Sequence, residues 1–279
     1  MIDIHVHLGK IYSVSRAFKG TIEVTIDDLI SYMDENEIDI VCLLSLPGKV
    51  DPYVDAYLAE EVLKASKKYP DRIIPFCAVD PRNPRFKERI RALVKKGCRG
   101  FGEYKVKLKV NDERSLRVYE ICSELKIPVL LHIDNTYNPD IYKLEYVLEH
   151  FKDTIFILHG PGWWKYISAN VDPREDYPRG KIIPGGKVEE ILSEYRNAYA
   201  DISAHSGYNA LNRDRAYARK FVEEFYDRIL YGTDFPCLAP DGTQYGPNRK
   251  HIDLLRELRL SKEVLEYVTS ENALKLLTL

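Results

Sequence analysis

Two hydrophobic rhythms alternate along this chain. Short runs rich in Val, Ile and aromatic residues read as β-strands, and longer stretches with apolar residues every three or four positions read as amphipathic helices. Eight strand-like runs stand out: IDIHVHL (2–8), IDIVCLLSL (38–46), RIIPFCAVD (72–80), CRGFGEYKV (98–106), IPVLLHID (127–134), TIFILHG (154–160), AYADISAH (198–205) and RILYGTDF (228–235). Helical patterns fill the intervals at 25–36, 54–69, 85–97, 113–125, 140–151, 187–195 and 215–226, and two more follow the last strand at 249–258 and 261–279. Thr25 and Asp28 have the spacing of a capping box, and Gly97 follows two lysines as a helix C-terminus should. Strand and helix in strict alternation imply parallel βαβ units. Eight of them in 279 residues predict one α/β domain spanning 1–279, a (β/α)8 TIM barrel closed by two C-terminal helices.

One interval breaks the rhythm. After strand six, residues 161–186 (PGWWKYISANVDPREDYPRGKIIPGG) form a long loop opening with Trp163 and Trp164. A loop of that length in a compact domain is usually functional. The two indoles are expected either to close over a ligand or to pack the loop onto the rim.

Composition narrows the class. With 45% hydrophobic residues the chain can bury a large core, and its net charge of −2 carries no footprint for nucleic acid or an anionic membrane. No apolar stretch reaches membrane-spanning length and no signal peptide is visible, so a cytoplasmic protein is expected. The five cysteines, at 42, 77, 98, 122 and 237, are scattered through apolar runs. They read as reduced core residues.

The polar residues carry the chemistry. In strand one, Asp3, His5 and His7 alternate with Ile2, Ile4 and Val6, so regular pleating puts the acid and both imidazoles on one face. His132, His159 and His205 fall at or near the ends of strands five, six and seven, and Asp234 closes strand eight. His150 and His251 fall in helices and read as surface residues. Strand C-termini form the functional face of such a barrel. Imidazole and carboxylate without thiolate suit a divalent metal, zinc first and manganese, iron or nickel as alternatives. Asp3 is placed to orient a metal-bound imidazole from behind. Glu103 and Lys105 share a face at the end of strand four, where they can enter the site or form a rim ion pair.

This H-x-H, His, His, Asp order, each member closing a strand, resembles the amidohydrolase superfamily. YGTDFP, VDPRNP and the terminal ENALKLL resemble its amidohydrolase-related branch of hydrolases and metal-dependent decarboxylases of the aminocarboxymuconate-semialdehyde and resorcylate type. The resemblance covers essentially the whole chain. It implies that His5, His7, His132 and Asp234 bind metal, with His159 either a ligand of a second ion or a polariser of the substrate. Strand four departs from the branch pattern: it reads GFGEYKVKL, and a glutamate there is similar to the TatD-type nucleases, where it helps to hold two metals. One ion or two therefore stays open, with Glu103 a candidate ligand.

The expected activity is hydrolysis of a small amide, lactone or cyclic ureide by metal-activated water. Asp234 would move the proton and His159 would stabilise the oxyanion, while His205, Trp163, Trp164 and Lys105 contact substrate. Decarboxylation of a small aromatic or unsaturated acid is the second reading. A TatD-like phosphodiesterase is the third, and a binding protein with a vestigial site is the non-enzymatic alternative. Arg174, Arg179, Lys165 and Lys181 of the long loop are candidate carboxylate binders. The only partner expected is a small-molecule substrate, and a homodimer through the outer helices is a candidate assembly.

Overall fold

The computed structural model describes residues 1–14, 19–50, 55–236 and 249–277. Eight parallel strands form its centre: β1 (Ile2–Val6), β2 (Ile40–Leu44), β3 (Ile73–Phe76), β4 (Phe101–Tyr104), β5 (Val129–His132), β6 (Phe156–His159), β7 (Ala198–Asp201) and β8 (Ile229–Leu230). Each lies inside one of the eight predicted runs. β1 to β3 form one arc and β4 to β8 another. A bridge from Phe76 to Gly100 joins the arcs on one side, and a bridge from Val6 to Phe235 joins them on the other. The barrel is thereby closed. Gly100 is needed at the first joint, because a Cβ there would lie 2.3 Å from the Phe76 ring.

Helices α1 (Ile26–Glu35), α2 (Ala59–Lys68), α3 (Phe86–Lys95), α4 (Glu113–Leu125), α5 (Leu144–His150), α6 (Pro161–Trp164), α7 (Lys187–Glu194), α8 (Ala204–Asn212) and α9 (Arg215–Glu224) surround it. Three more, α10 (Lys250–Glu257), α11 (Lys262–Glu266) and α12 (Asn272–Leu277), follow β8. The capping box at α1 is formed: Asp28 N donates to Thr25 Oγ1 at 3.2 Å and Thr25 N to Asp28 Oδ2 at 2.8 Å. An antiparallel pair, Gly9–Val14 with Lys19–Val24, joined by Asp55–Ala56, stands outside the barrel and has no counterpart in the predicted elements. Among the described residues, no helix is long and apolar enough to cross a membrane.

Inside the barrel, Ile2, Ile4, Cys42, Leu44, Ile74, Phe76, Leu130, Ile157 and Leu230 pack together, with Ala273 and Leu277 of α12 in the same cluster. This corrects the expected orientation of strand one. Ile2 and Ile4 point into the barrel, so simple alternation would turn Asp3, His5 and His7 away from it. The register supplies the reason. Asp3 pairs with Val41 but Val6 with Leu43, so β1 holds one extra residue there, a bulge that shifts the alternation by one. Below it Ile4 faces in; above it His5 and His7 do.

The same device recurs in β4. Phe101 pairs with Val129 and Tyr104 with Leu131, again one residue too many. Phe101 and Tyr104 pack in the layer under the helices. Gly102 faces inward, where a Cβ would touch Leu130 at 2.9 Å. Glu103 takes the bulged position, after a cis Gly102–Glu103 peptide.

The cysteine expectation fails in part. Cys77 and Cys98 are joined as a disulfide with Cα atoms 6.1 Å apart. Reading each run separately hides the reason: β3 and β4 are neighbours, and Cys77 N donates to Gly100 O at 3.0 Å. Cys42 and Cys122 are free and buried, and Cys237 lies outside the described residues.

Candidate metal centre

His5 and His7 leave β1 at the top of its bulge with their rings facing. Nδ1 of His5 donates to Asp201 Oδ2 at 2.7 Å, and Nδ1 of His7 donates to the Leu44 carbonyl at 3.1 Å. Each donated Nδ1–H leaves Nε2 to carry the lone pair when the ring is neutral, the form a metal requires. Against its burial, the carboxylates of Asp234 and Asp201 pull the His5 pKa up to about 9, a field that favours a cation there. These two Nε2 atoms lie 3.0 Å apart. Asp234 Oδ1 is 3.5 Å from both, and Glu103 Oε2 is 3.4 Å from His7 Nε2. Glu103 Oε2 is buried and accepts no hydrogen bond from the described residues. Two Nε2 atoms this close need a proton or a cation between them, and the carboxylate oxygen without a partner is costly to bury without a cation. Around a zinc ion with bonds of about 2.0–2.2 Å, neighbouring ligand atoms lie about 3–3.5 Å apart. The donor set therefore fits a divalent metal.

Asp234 reaches this position through a left-handed backbone, φ 57°, costly for a residue with a side chain. Its N–H donates to the His5 carbonyl at 2.8 Å, which ties β8 to β1 at the centre.

A second grouping lies beside the first: Glu103, His132 and His159 have ligand atoms within 4.8 Å of one another. His132 differs from the other imidazoles there, because Nδ1 meets Glu103 Oε1 at 2.7 Å and Nε2 meets Asp134 Oδ2 at 2.9 Å. Burial and Lys105 oppose its charge, yet the two carboxylates hold its pKa above the ordinary value. In return, against its own burial, Glu103 is held well below the usual carboxylate range by His132 and Lys105. Asp134, with burial again opposing, is held down at about 2 by His132 and by the backbone N–H groups of Tyr137 and Thr136. His132 thus sits as a cation between two anions.

Asp201 was missed in the sequence, as was its partner Ser203. Asp201 is fully buried and accepts from His5 Nδ1 and from Ser203 Oγ at 2.8 Å. Its signal was present in AYADISAH, where the acid closes the strand as His132 and His159 close theirs. Asp3, expected to orient an imidazole, instead accepts from Thr233 Oγ1 at 2.6 Å, Thr233 N and His5 N, both at 3.1 Å. It fixes backbone on the far side of β1.

Ser203 also fixes the state of His159. Its single hydroxyl proton goes to Asp201, so the Ser203 oxygen accepts from His159 Nδ1 at 2.9 Å. Burial, and then the charge of His5, press the His159 pKa down to about 4. His159 is a neutral ring with an Nε2 lone pair 3.9 Å from Asp234 Oδ2. In that tautomer it can accept a proton or a cation, and it cannot donate to an oxyanion as expected.

The remaining candidates separate. Trp163 and Trp164 are fully buried and form no lid; Trp164 Nε1 donates to the Asp201 carbonyl at 2.8 Å, bracing the orienting carboxylate from below. His205, in the first turn of α8, packs against Tyr177 of the long loop, ring centroids 4.5 Å apart and the planes tilted by 47°. Lys105 is buried beside Glu103. Three of the long-loop cations hold the loop itself: Lys165 binds Asp176 at 3.0 Å and Pro173 O at 2.7 Å, Arg174 binds Asp172 at 2.7 Å, and Lys181 binds Asp214 at 3.1 Å. His251, read as a surface residue, is buried and donates to Ala204 O at 2.9 Å.

A barrel with imidazoles and carboxylates gathered at the strand ends defines an amidohydrolase-type enzyme, and comparison with known proteins agrees. The amidohydrolase family model (Amidohydro_2) matches residues 51–279, and the chain belongs to that family. Comparison with curated proteins gives no match. Among solved structures, a probable 2-pyrone-4,6-dicarboxylic acid hydrolase from Acinetobacter baumannii with citric acid bound superposes with a TM-score of 0.66 at 15% identity, over 100% of this chain and 99% of that one. An amidohydrolase from Burkholderia multivorans with bound zinc gives 0.67 at 13% identity, over 100% and 99%. A 5-carboxyvanillate decarboxylase from Novosphingobium aromaticivorans, complexed with manganese, gives 0.60 at 17% identity, over 92% and 81%. At these identities the likeness speaks to the TIM-barrel fold.

Proposed function

We propose that the protein is a metal-dependent hydrolase of a small carbonyl-type substrate, with one divalent ion, zinc first, held by His5, His7, Asp234 and Glu103. The observation that carries this reading is the pair of Nε2 lone pairs 3.0 Å apart, with Asp234 Oδ1 at 3.5 Å from each. A divalent ion bound there lowers the pKa of water and polarises a carbonyl oxygen. Glu103 rather than His132 is assigned as the fourth ligand, because both nitrogens of His132 already meet carboxylates.

The chain's own groups supply the proton transfers. Asp234 turns Oδ1 to the ligand nitrogens and keeps Oδ2, on the side of His159, to take the proton from the attacking water. His159, neutral and oriented through Ser203, presents the Nε2 lone pair that relays that proton towards the leaving group. His132, bound between Glu103 and Asp134, holds Glu103 in the ionised state that a cation requires.

The test joins metal content to reaction type. Protein purified without chelator or a nickel column is analysed by elemental mass spectrometry and assayed on lactones, amides and cyclic ureides in ¹⁸O-labelled water. One equivalent of metal and label in the product carboxylate are the expected result. Carbon dioxide release from an aromatic acid without label would replace hydrolysis by decarboxylation, and failure to take up any divalent metal would end both readings.

A further inference from the structure

Glu103, the fourth ligand proposed above, stands on an irregular strand. β4 carries one residue too many against β5, and Glu103 takes the extra position. Regular pairing therefore leaves open where its carboxylate points. Ligand distances to a divalent ion vary by only about 0.2 Å, so this backbone needs a support outside the ladder.

Two such supports are present. On one side, Glu103 N donates at 2.7 Å to the carbonyl of Ser45, the residue after β2. On the other side stands Asn138. Its Nδ2 donates to Tyr104 O at 2.6 Å and to His132 O at 2.9 Å. These are the last carbonyls of β4 and β5. Tyr104 directly follows Glu103, and the His132 ring meets Glu103 Oε1 at 2.7 Å. A single NH2 group thus spans the two strands that carry the Glu103–His132 pair.

Asn138 suits this task in both backbone and side chain. It is fully buried, with a left-handed φ of 44°, a region that asparagine enters more readily than most residues. Its own N–H donates to Val106 O at 2.9 Å, and the turn before it is closed by Asp134 N to Tyr137 O at 3.0 Å. The amide oxygen, Oδ1, is buried and has no partner among the described residues. An unpaired buried oxygen is destabilising, so the NH2 end, which serves both carbonyls, is the part of this side chain with a task.

We propose that Asn138 is a positioning residue of the metal centre: by joining the carbonyls of Tyr104 and His132 it holds Glu103 in the orientation of a ligand. This rests on the reading of Glu103 as a ligand given above.

Two variants remove the donors in different ways. Asn138→Gly keeps the left-handed turn and deletes the amide. Asn138→Asp keeps the shape, offers at most one hydrogen to the two carbonyls, and serves where Asn138→Gly fails to fold. Competition with a chromophoric chelator reads zinc affinity in the wild-type and Glu103→Gln backgrounds. Asn138→Gly is expected to weaken binding about tenfold in the first, as groups behind a ligand do. In the second the change should be under about twofold, because no ligand is left to position. Cobalt(II) bound to Asn138→Gly should show the visible spectrum of the Glu103→Gln protein rather than that of the wild type. An equal loss in both backgrounds would make Asn138 a support of the fold alone and overturn the proposal. Unchanged affinity in the wild-type background, or failure of both variants to fold, would overturn it too. A wild type that binds no divalent ion, or binding that Glu103→Gln leaves unaltered, would end the ligand reading and this proposal together. A wild type that binds through Glu103, with Asn138→Gly its equal, would end this proposal only.

Discussion

Nε2 of His5 faces Nε2 of His7 at 3.0 Å, and the other nitrogen of each ring is already committed, to Asp201 and to the Leu44 carbonyl. Two ring nitrogens held face to face by buried acceptors, among carboxylates, are an arrangement that a cation completes. Zinc at a thousandfold excess over its Kd should stabilise the protein by about 4 kcal/mol, a rise in Tm on the order of 10 °C. Differential scanning calorimetry of stripped and reloaded protein measures it, and a His5→Ala/His7→Ala variant should show no rise.

Glu103 and His132 lie within one hydrogen bond of each other, yet their substitutions should differ. Glu103→Gln removes a ligand charge and should weaken metal binding by about a hundredfold or more, whereas His132→Asn, which acts through Glu103, should cost about tenfold. Competition with a chromophoric chelator reads both. The reverse order would make His132 the ligand and Glu103 its support.

Asp201 never touches the proposed ion but holds His5 in the tautomer that presents Nε2. Asp201→Asn offers the ring an amide in place of the carboxylate and should lower metal affinity about ten- to a hundredfold while the far-UV circular dichroism stays unchanged. An unaltered affinity would mean that Leu44 and Ser203 suffice to hold the rings.

Assayed at saturating metal, because Asp234 is also a proposed ligand, Asp234→Asn should keep the fold and lose turnover by a factor of about 10²–10⁴, the usual range for removing a positioned acid or base. The loss should fall on kcat. Full activity in this variant would assign the proton transfer elsewhere.

His251 gives the pH dependence that is easiest to isolate, because burial dominates it and it supplies no ligand atom. Burial presses its pKa down to about 4. The unfolded chain, with an ordinary histidine pKa of about 6.5, takes up this proton first. The His251 contribution is therefore complete above pH 6.5 and is lost as pH falls towards 4. Between pH 7 and pH 5 the wild type should lose about 2 kcal/mol relative to His251→Gln, which keeps a donor for the Ala204 carbonyl. Urea titrations at the two pH values measure the difference, and parallel curves would show that the imidazole is not held neutral.

The periodicity of the sequence was enough to find every barrel strand, because a parallel strand buried on both faces writes itself as a short apolar run. It also placed His5, His7, His132, His159, Glu103 and Asp234 at strand ends, where the fold gathers them. It failed where one residue changes the phase. Nothing in IDIHVHL or CRGFGEYKV marks the extra residue, so the alternation read across strand one placed His5 and His7 correctly and Asp3 on the wrong face. Asp3 and Asp201 exchange roles for that reason: one is turned out to Thr233, and the other, a strand away, does the orienting. The exposure of His251 was misjudged because α10 packs against α8, a contact between distant segments that no local pattern contains. The pairing of Cys77 with Cys98 was hidden in the same way, by the adjacency of two strands.

The seam between β8 and β1, where Val6 bridges to Phe235 and Asp234 N–H reaches the His5 carbonyl, sets the order in which this protein can mature. A ribosome delivers the two facing imidazoles with β1 and their carboxylate partner only after seven strand–helix units have emerged. Domains fold as the chain is made, from the N-terminal side. No partly synthesised chain short of Asp234 owns the complete ligand set, so it can hold an ion only loosely. On the ligand set proposed above, tight metal capture becomes a late event in biogenesis and a signature of the finished barrel.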